Sequence, residues 1–330
     1  VNNTTIEWAE RIWNPITGCS PVSEGCEHCY AERMSKRLRG RFGYPADEPF
    51  RVTLHPNRLE EPLKLRKPSR IFVCSMGDLF HEDVPFEWVD KVLYIIAQAP
   101  QHTFLMLTKR PERMHAYFTD ITENKNQFMH RMMHSVFYYP SMHGAIINLR
   151  KGIAIPNLWL GVTAENQARA DERIPILLQT PAAVRFVSIE PMLGPVDLSG
   201  YYKVQNHVNL PPEQRKQALE EYWAGMHRLT KLDWVICGGE TGAGARPMHP
   251  DWARNLRDQC QGARMPFYFK SWGEYREACP PHDPIWNGQS PKLRYEHGAH
   301  FIRLGAKRSG RLLDGCEWVE CPEELMVDAK

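Results

Sequence analysis

The chain has 330 residues, 42% hydrophobic and 24% charged, with a formal net charge of +2. This is the balance of a globular protein; it excludes a low-complexity or collagen-like chain, and the small net charge leaves partners to be read from local clusters. No apolar run reaches the length of a membrane span, so no membrane partner is expected.

The N-terminal residues Val1 to Thr5 show no basic region followed by an apolar core, so no secretory signal is expected. Nine cysteines without such a signal point to a reducing cytoplasm.

Three of these thiols, Cys19, Cys26 and Cys29, fall within eleven residues in the spacing Cys-x6-Cys-x2-Cys. Gly18, Pro21 and Gly25 make the span between them a loop, and a helix is expected from about Cys29 through Leu38. Such a loop can fold three sulfurs onto one point. An odd number of closely spaced thiols suits a metal centre better than disulfides. A structural zinc needs a fourth ligand, for which His28 is the local candidate. Three thiolates alone leave a position open, which suits an iron–sulfur cluster that binds a cofactor or substrate. Ordinary core thiols are the third reading.

Charge gathers next to this loop. Residues 33–70 carry about 11 Lys or Arg against about 4 Asp or Glu. The cluster reads either as a solvated helix face or as a cradle for nucleic-acid phosphates.

Strand–helix units follow. Strands are expected at residues 70–75, 102–108, 158–163, 184–189, 232–237 and 265–270, and helices at 86–99, 167–178 and 250–261. The strands are near-continuous apolar runs, as in parallel strands covered on both faces. The expected fold is therefore α/β, a full or partial TIM-like (β/α) barrel of parallel strands forming one domain; a doubly wound open sheet is the alternative. Residues 115–157, with His115, His130, His134 and His143, and residues 199–231 read as insertions. The histidine spacing gives only one helical pair, so packing or a substrate lid is a better account of the first than a metal site. Cys316 and Cys321 read as ordinary thiols. The run Lys307 to Arg311 reads as either a phosphate contact or a flexible tail.

In a parallel barrel the site lies at the carboxyl ends of the strands. Those ends carry Ser75 and Asp78; Lys109 and Arg110; Thr163, Glu165 and Asn166; Ser188 and Glu190; Gly238, Gly239 and Glu240; and Lys270. So many polar ends at one mouth need a ligand or an ion-pair network to offset the burial of charge.

The segment from Trp13 to Glu32 resembles the three-Cys loop of the phage Gp37/Gp68 family, also called DUF5131. The resemblance continues through Trp-Leu-Gly-Val (159–162), Phe-Val-Ser-Ile-Glu-Pro-Met-Leu (186–193), Cys-Gly-Gly-Glu-Thr-Gly (237–242), Arg-Pro-Met-His-Pro (246–250), Phe-Lys-Ser-Trp-Gly-Glu (269–274) and Gly-Arg-Leu-Leu-Asp-Gly (310–315). The family is similar to divergent radical S-adenosylmethionine (AdoMet) enzymes, whose usual loop is Cys-x3-Cys-x2-Cys; here the first gap is six.

This resemblance implies a [4Fe–4S] cluster on Cys19, Cys26 and Cys29, with AdoMet as cofactor and a 5′-deoxyadenosyl radical as oxidant. Ser75 and Asp78 would then accept from the AdoMet amino group, and Lys109 or Arg110 would meet its carboxylate. Glu165 and Asn166 would face the ribose, and Gly238 and Gly239 the adenine; Thr163 and Ser188 are further cofactor-binding candidates. Glu190, Glu240 and Lys270 remain for the substrate, expected to be a nucleic acid or nucleotide undergoing modification or repair. An electron donor such as a flavodoxin or ferredoxin is implied, and a partner protein has room to complete the site. The rival readings are a zinc-stabilised nucleic-acid-binding protein and an iron–sulfur protein that does not use AdoMet.

Overall fold

The computed structural model describes residues 1–4, 6–123, 154–201, 232–278 and 293–322. In chain order the elements are β1 (Asn2–Asn3), β2 (Arg11–Trp13), β3 (Ile16–Thr17), α1 (Tyr30–Leu38), β4 (Thr53–Leu54), β5 (Arg70–Val73), α2 (Phe86–Gln98), β6 (Thr103–Thr108) and α3 (Pro111–Glu123). There follow β7 (Leu158–Thr163), α4 (Gln167–Gln179), β8 (Val184–Ile189), β9 (Trp234–Gly238), α5 (Pro250–Ala263) and β10 (Phe267–Ser271). The last elements are β11 (Tyr275–Ala278), β12 (Leu293–Glu296), β13 (Ala299–Arg303) and α6 (Ala306–Ser309).

The central sheet has eight strands in the order β1-β2-β5-β6-β7-β8-β9-β10. Only β1 is antiparallel to its neighbour; from β2 to β10 every pairing is parallel. This is a mixed α/β fold with a mostly parallel sheet, as the apolar strand runs require. The strands follow one another without a reversal of order. Right-handed crossovers then place the connecting helices among the described residues on one face. The packing agrees: α2, α3, α4 and α5 contribute Val92, Met114, Ile174 and Leu256 to one core cluster with Val73, Met106, Leu160 and Val235 of the strands. The doubly wound alternative needs helices on both faces, and the connecting helices among the described residues lie on one. No pairing joins β10 back to β1 or β2 among the described residues, so the sheet is not a closed barrel there.

The other face of the sheet is floored by aromatic rings. Trp159, Phe186, Trp234 and Tyr268 pack there with Trp8 and Leu105. Their rings meet at edges and tilts, with Trp159 and Trp234 centred 5.9 Å apart. Because side chains alternate along a strand, the residues two and four positions further on share this face. They are Thr163 on β7, Ser188 and Glu190 at the end of β8, Gly238 on β9 and Lys270 on β10. An apolar floor thus gives way to polar groups towards the carboxyl ends.

The outer edge of β10 is covered rather than open. Phe269 N donates to Trp318 O at 2.9 Å and Glu320 N to Phe267 O at 3.2 Å. The basic run at 307–311 that precedes this cover is ordered: residues 306–309 form α6, and Arg311 pairs with Glu317 and Glu7. Cys316 and Cys321 form no disulfide, and the Cys321 sulfur lies 3.5 Å from Arg70 Nη1.

The insertions expected at 115–157 and 199–231 lie mostly outside the described residues, as do His130, His134 and His143. His115 belongs to α3, where its ring nitrogens lie 3.3 Å from Thr180 Oγ1 and from Thr119 Oγ1. No helix among the described residues is long and apolar enough to cross a membrane.

Candidate metal and cofactor site

The cysteine loop lies across the carboxyl ends of the parallel strands and is tied down on four sides. Its first anchor is the backbone. Gly18 forms a parallel bridge with Gly77, in the loop that follows β5, and its N–H donates to Met76 O at 2.9 Å. Asn14 fixes the same loop by accepting from Met76 N at 3.0 Å, and it pairs with Ser75 Oγ at 3.2 Å.

The second anchor is Arg110, just beyond β6. Its guanidinium is buried and donates to Ser20 O and Ser20 Oγ, each at 3.0 Å, and to the Cys19 sulfur at 3.3 Å. Glu82 accepts twice from its Nε at 3.1 Å. Asp78 lies 3.4 Å from Nη1. Asp78 itself is buried and also accepts from Thr108 Oγ1, Lys109 N and Phe80 N. Burial, with Asp78 adding to it, pushes the Cys19 thiol up to about 12, and Arg110 opposes that rise.

The third anchor is Glu165, at the end of β7, with no solvent exposure at all. It receives Lys109 Nζ, Arg173 Nη1 at 3.1 Å and Ser23 Oγ of the cysteine loop at 2.7 Å. Burial raises its pKa, but the two cations outweigh burial and hold it below the ordinary carboxylate range. Gly25 is needed here: a Cβ on it would fall 2.3 Å from Glu165 Oε1. Next to it Asn166 caps α4, accepting from Arg169 N at 3.1 Å, and its amide donates to Glu24. Arg169 completes the contact with Glu24 at 3.1 Å.

On the β9 side, Glu240 is buried and accepts from Arg246 N, Nε and Nη2 at 2.7, 2.8 and 2.6 Å. Arg246 reaches back to the loop, donating to Glu24 O and Glu27, each at 3.0 Å. His28 places Nδ1 3.2 Å from Glu240. Arg33, one turn into α1, donates to Thr241 O at 3.0 Å. Burial and Arg246 act in opposite directions on Glu240, and Arg246 prevails to keep its pKa low.

The sulfurs sit inside this frame. Cys19, Cys26 and Cys29 are free and partly exposed, with Cys29 at the N-cap of α1. Among the described residues, no group of three or more His, Cys, Asp or Glu stands ready to hold a single metal ion. The donor set is the one an iron–sulfur cluster takes: three soft thiols on one loop, with a cation against one of them. His28, the local candidate for a fourth zinc ligand, is engaged by Glu240 instead.

The structure sorts the expected residues into two groups. Asp78, Arg110, Glu165, Asn166 and Glu240 are bound up in holding the loop. Lys109 and Ser75 belong with them through Glu165 and Asn14. Thr163, Ser188, Glu190, Gly238 and Lys270 line the face above the aromatic floor instead. There Glu190 and Lys270 form an ion pair across β9, with side chains 21% and 23% exposed. Gly238 lies between them; a Cβ on it would meet Lys270 Cβ at 3.4 Å and Glu190 at 3.5 Å. Gly239 instead meets backbone, that of Trp272.

Sequence reasoning passed over Asn14, Ser23, Glu24, Arg173 and Arg246, and it read His28 only as a ligand. Two of these had local partners: Arg246 stood within one of the quoted blocks, six residues from Glu240, and Arg173 stands eight residues from Glu165. Asn14, Ser23, Glu24 and His28 act through contacts between residues 61 to 222 positions apart, which spacing cannot reveal.

The fold and site together define an α/β protein with a three-cysteine loop mounted across the ends of a parallel sheet. The chain matches the family described as "Protein of unknown function (DUF5131)" over residues 3–322 and belongs to it. The description carries no phage Gp37/Gp68 label. No protein of curated function matches the sequence. Two solved structures overlap with the fold loosely: spore photoproduct lyase complexed with dinucleoside spore photoproduct, at a TM-score of 0.39, and a cysteine-to-serine mutant of that lyase, at 0.37. Each is 10% identical, and each overlap covers 92% of this chain and 71% of the other. Likeness at that level does not bear on activity.

Proposed function

We propose that this protein is an iron–sulfur, AdoMet-dependent radical enzyme acting on a nucleic acid or nucleotide. The observation that carries the reading is the mounting of the three free thiols. One loop holds them across the carboxyl ends of the strands, and buried ion pairs anchor that loop to the ends of β5, β6, β7 and β9. A surface loop of ordinary cysteines has no need of Glu165, Asp78 and Glu240, three buried carboxylates whose desolvation must be offset. The same loop and its neighbours support the finer reading as a phage Gp37/Gp68-type member with a partial (β/α) barrel, one domain with insertions near 115–157 and 199–231, working in a reducing cytoplasm.

Cys19, Cys26 and Cys29 would hold the cluster. A structural zinc wants four ligands, and His28, the local candidate for the fourth, is engaged by Glu240. A cluster takes each thiolate on a separate iron and leaves one position open, which suits three thiols without a fourth. Reductive cleavage of AdoMet, giving methionine and a 5′-deoxyadenosyl radical that takes a hydrogen atom from the substrate, is the chemistry such a centre supplies when bound.

The residues of the chain have three tasks in this reading. Arg110 offsets negative charge at Cys19. The network of Glu165, Lys109, Arg173 and Ser23 fixes the loop and keeps water from beneath it. Glu190 and Lys270, on the face floored by the aromatic rings and still partly exposed, are the groups offered to substrate or cofactor, with that floor below excluding water.

The test is anaerobic purification with iron, sulfide and zinc analysis, and EPR of the reduced protein before and after AdoMet. About four irons and four sulfides per chain, with a signal that changes on adding AdoMet, is the expected result. One zinc and no iron would overturn the reading in favour of a zinc-stabilised binding protein. Iron with no response to AdoMet would remove the cofactor.

A further inference from the structure

We infer that α1 and the turn after it form a track for single-stranded nucleic acid, leading from solvent to the cysteine loop. This deepens the nucleic-acid part of the function proposed above. Residues 30–43 hold five Lys and Arg and a single acid, Glu32. Glu32 is taken by Lys36 at 2.7 Å, and the nearby Asp47 by Arg51 at 3.1 Å. Arg37 and Arg39 are exposed and meet no carboxylate among the described residues. Arg33 and Arg37, four residues apart, share one stripe of the helix, and Tyr30 begins it three residues earlier. Arg41 extends the stripe past the helix end, where its Nη2 donates to Arg37 O at 2.6 Å. At 1.5 Å per residue the stripe runs for roughly 14 Å, starting beside Cys29.

Charge alone would suit any acidic partner. Two rings decide between partners. Tyr30 is 56% exposed, and Phe42, at 73%, is the most exposed large hydrophobic side chain among the described residues. Phe42 also has φ 53°, a left-handed backbone that a bulky residue rarely takes. The turn therefore accepts an unfavourable conformation and holds an apolar ring in water, flanked by Arg41. Cations along a stripe with exposed rings at both ends are what a single strand requires: phosphates meet the guanidiniums and unpaired bases stack on the rings. A duplex hides its base faces and gains nothing from the rings. An acidic protein would gain from the cations but does not call for two separated, upright aromatics.

The measurement is fluorescence anisotropy of the full chain with labelled single-stranded DNA, single-stranded RNA and duplex DNA of one sequence, across a salt series. Iron and sulfide are assayed on the same preparations. Single strands are expected to bind more tightly than duplex. The pair Arg37→Glu with Arg39→Glu should weaken single-strand binding about tenfold or more and lower the salt slope by roughly 1.4, the loss of two phosphate contacts. Phe42→Ala should weaken single strands roughly tenfold and leave duplex binding unchanged. All three positions are exposed, so unchanged thermal melting is expected and serves as the control for folding.

Wild-type protein that ignores single strands, or variants that bind them as wild type does, overturn the inference. Variants that keep oligonucleotide binding but lose reduction by a flavodoxin also overturn it, by showing the stripe to be a dock for an acidic protein. A protein without iron that still binds through the stripe leaves the track standing and removes the redox reading. An iron-loaded, AdoMet-responsive protein that binds no oligonucleotide does the reverse.

Discussion

The guanidinium of Arg110 lies 3.3 Å from the sulfur of Cys19, although the two residues are 91 positions apart in the chain. Among the described residues it is the one buried cation placed against a thiol of the loop. Burial disfavours the charged form of Cys19, and Arg110 is what works against that.

Replacing Arg110 with Gln should therefore make the Cys19 thiolate scarcer. In protein stripped of metal, alkylation of Cys19 at pH 8, followed by peptide mass spectrometry, should slow several-fold, because the thiolate is the reacting form. Labelling of Cys26 should change much less. Arg110→Lys should restore part of the rate, since it keeps a charge but loses the forked geometry shared with Ser20 and Glu82. A Cys19 that reacts as fast in Arg110→Gln as in the wild type would show that the contact is packing alone.

Arg246→Ala addresses the opposite anchor. It removes two side-chain donors, Nε and Nη2, from buried Glu240 and cuts the links to Glu24 and Glu27. The backbone N–H of residue 246 survives the change, so the loss is that of the side chain. The expected cost is about 2 kcal/mol, because a charged acceptor is left short of partners. For a chain of this size that is a fall of roughly 3 °C in melting temperature. The loop should also loosen, so Cys26 and Cys29 should alkylate faster. A fall in stability without faster labelling would mean that Arg246 supports the β9 loop but not the cysteine loop.

The elements that the sequence made legible are those whose signal is local. The strands expected at 158–163 and 184–189 occur with those bounds, and the helix expected at 86–99 ends one residue earlier. Their apolar runs and helical periods leave little choice. Strand β2 was not legible because it is three residues long and is defined by pairing with β5. Helix α3 was not legible because Pro111 and His115 drew attention away from Met114, Tyr117 and Phe118, which form its buried stripe. At the site, the sequence pointed to charged residues at the strand ends. It could not show that Glu165 faces Lys109, Arg173 and Ser23 at once, since that arrangement exists only when β6, β7 and the cysteine loop are brought together.

The adjacent glycines 238 and 239 make a matched test of what this strand end tolerates. A Cβ on Gly239 would lie 2.1 Å from Trp272 O, a backbone atom that cannot swing aside. Gly239→Ala should cost about 3 kcal/mol or more, or prevent folding. A Cβ on Gly238 would meet its neighbours at 3.4 Å, an ordinary contact. Gly238→Ala should stay within about 1 kcal/mol of wild type in chemical denaturation. Equal losses at the two positions would mean that the approach of the Trp272 backbone is not what Gly239 serves.

His55 supplies the pH test. It is buried beneath the cysteine loop, with Nε2 2.8 Å from Thr17 Oγ1, and Gly43 packs against its ring. Burial first, and the charge of Arg58 second, lower its pKa from 6.5 to about 4; Glu61 acts in the other direction but does not prevail. The unfolded chain takes up a proton near pH 6.5 that the folded chain refuses until about pH 4. Stability is therefore unaffected by His55 above pH 6.5, falls as pH drops through that window, and loses no more once both states are protonated. The loss is at most about 3 kcal/mol, or roughly 4 °C in melting temperature. His55→Gln keeps a hydrogen-bonding group near Thr17 but cannot titrate. Melting temperatures of the two proteins should run parallel above pH 7, and the wild type should fall relative to the variant between pH 6.5 and 4. Taking the difference between the curves cancels the carboxylates common to both. Curves that stay parallel down to pH 4 would show that His55 does not resist protonation in the folded chain.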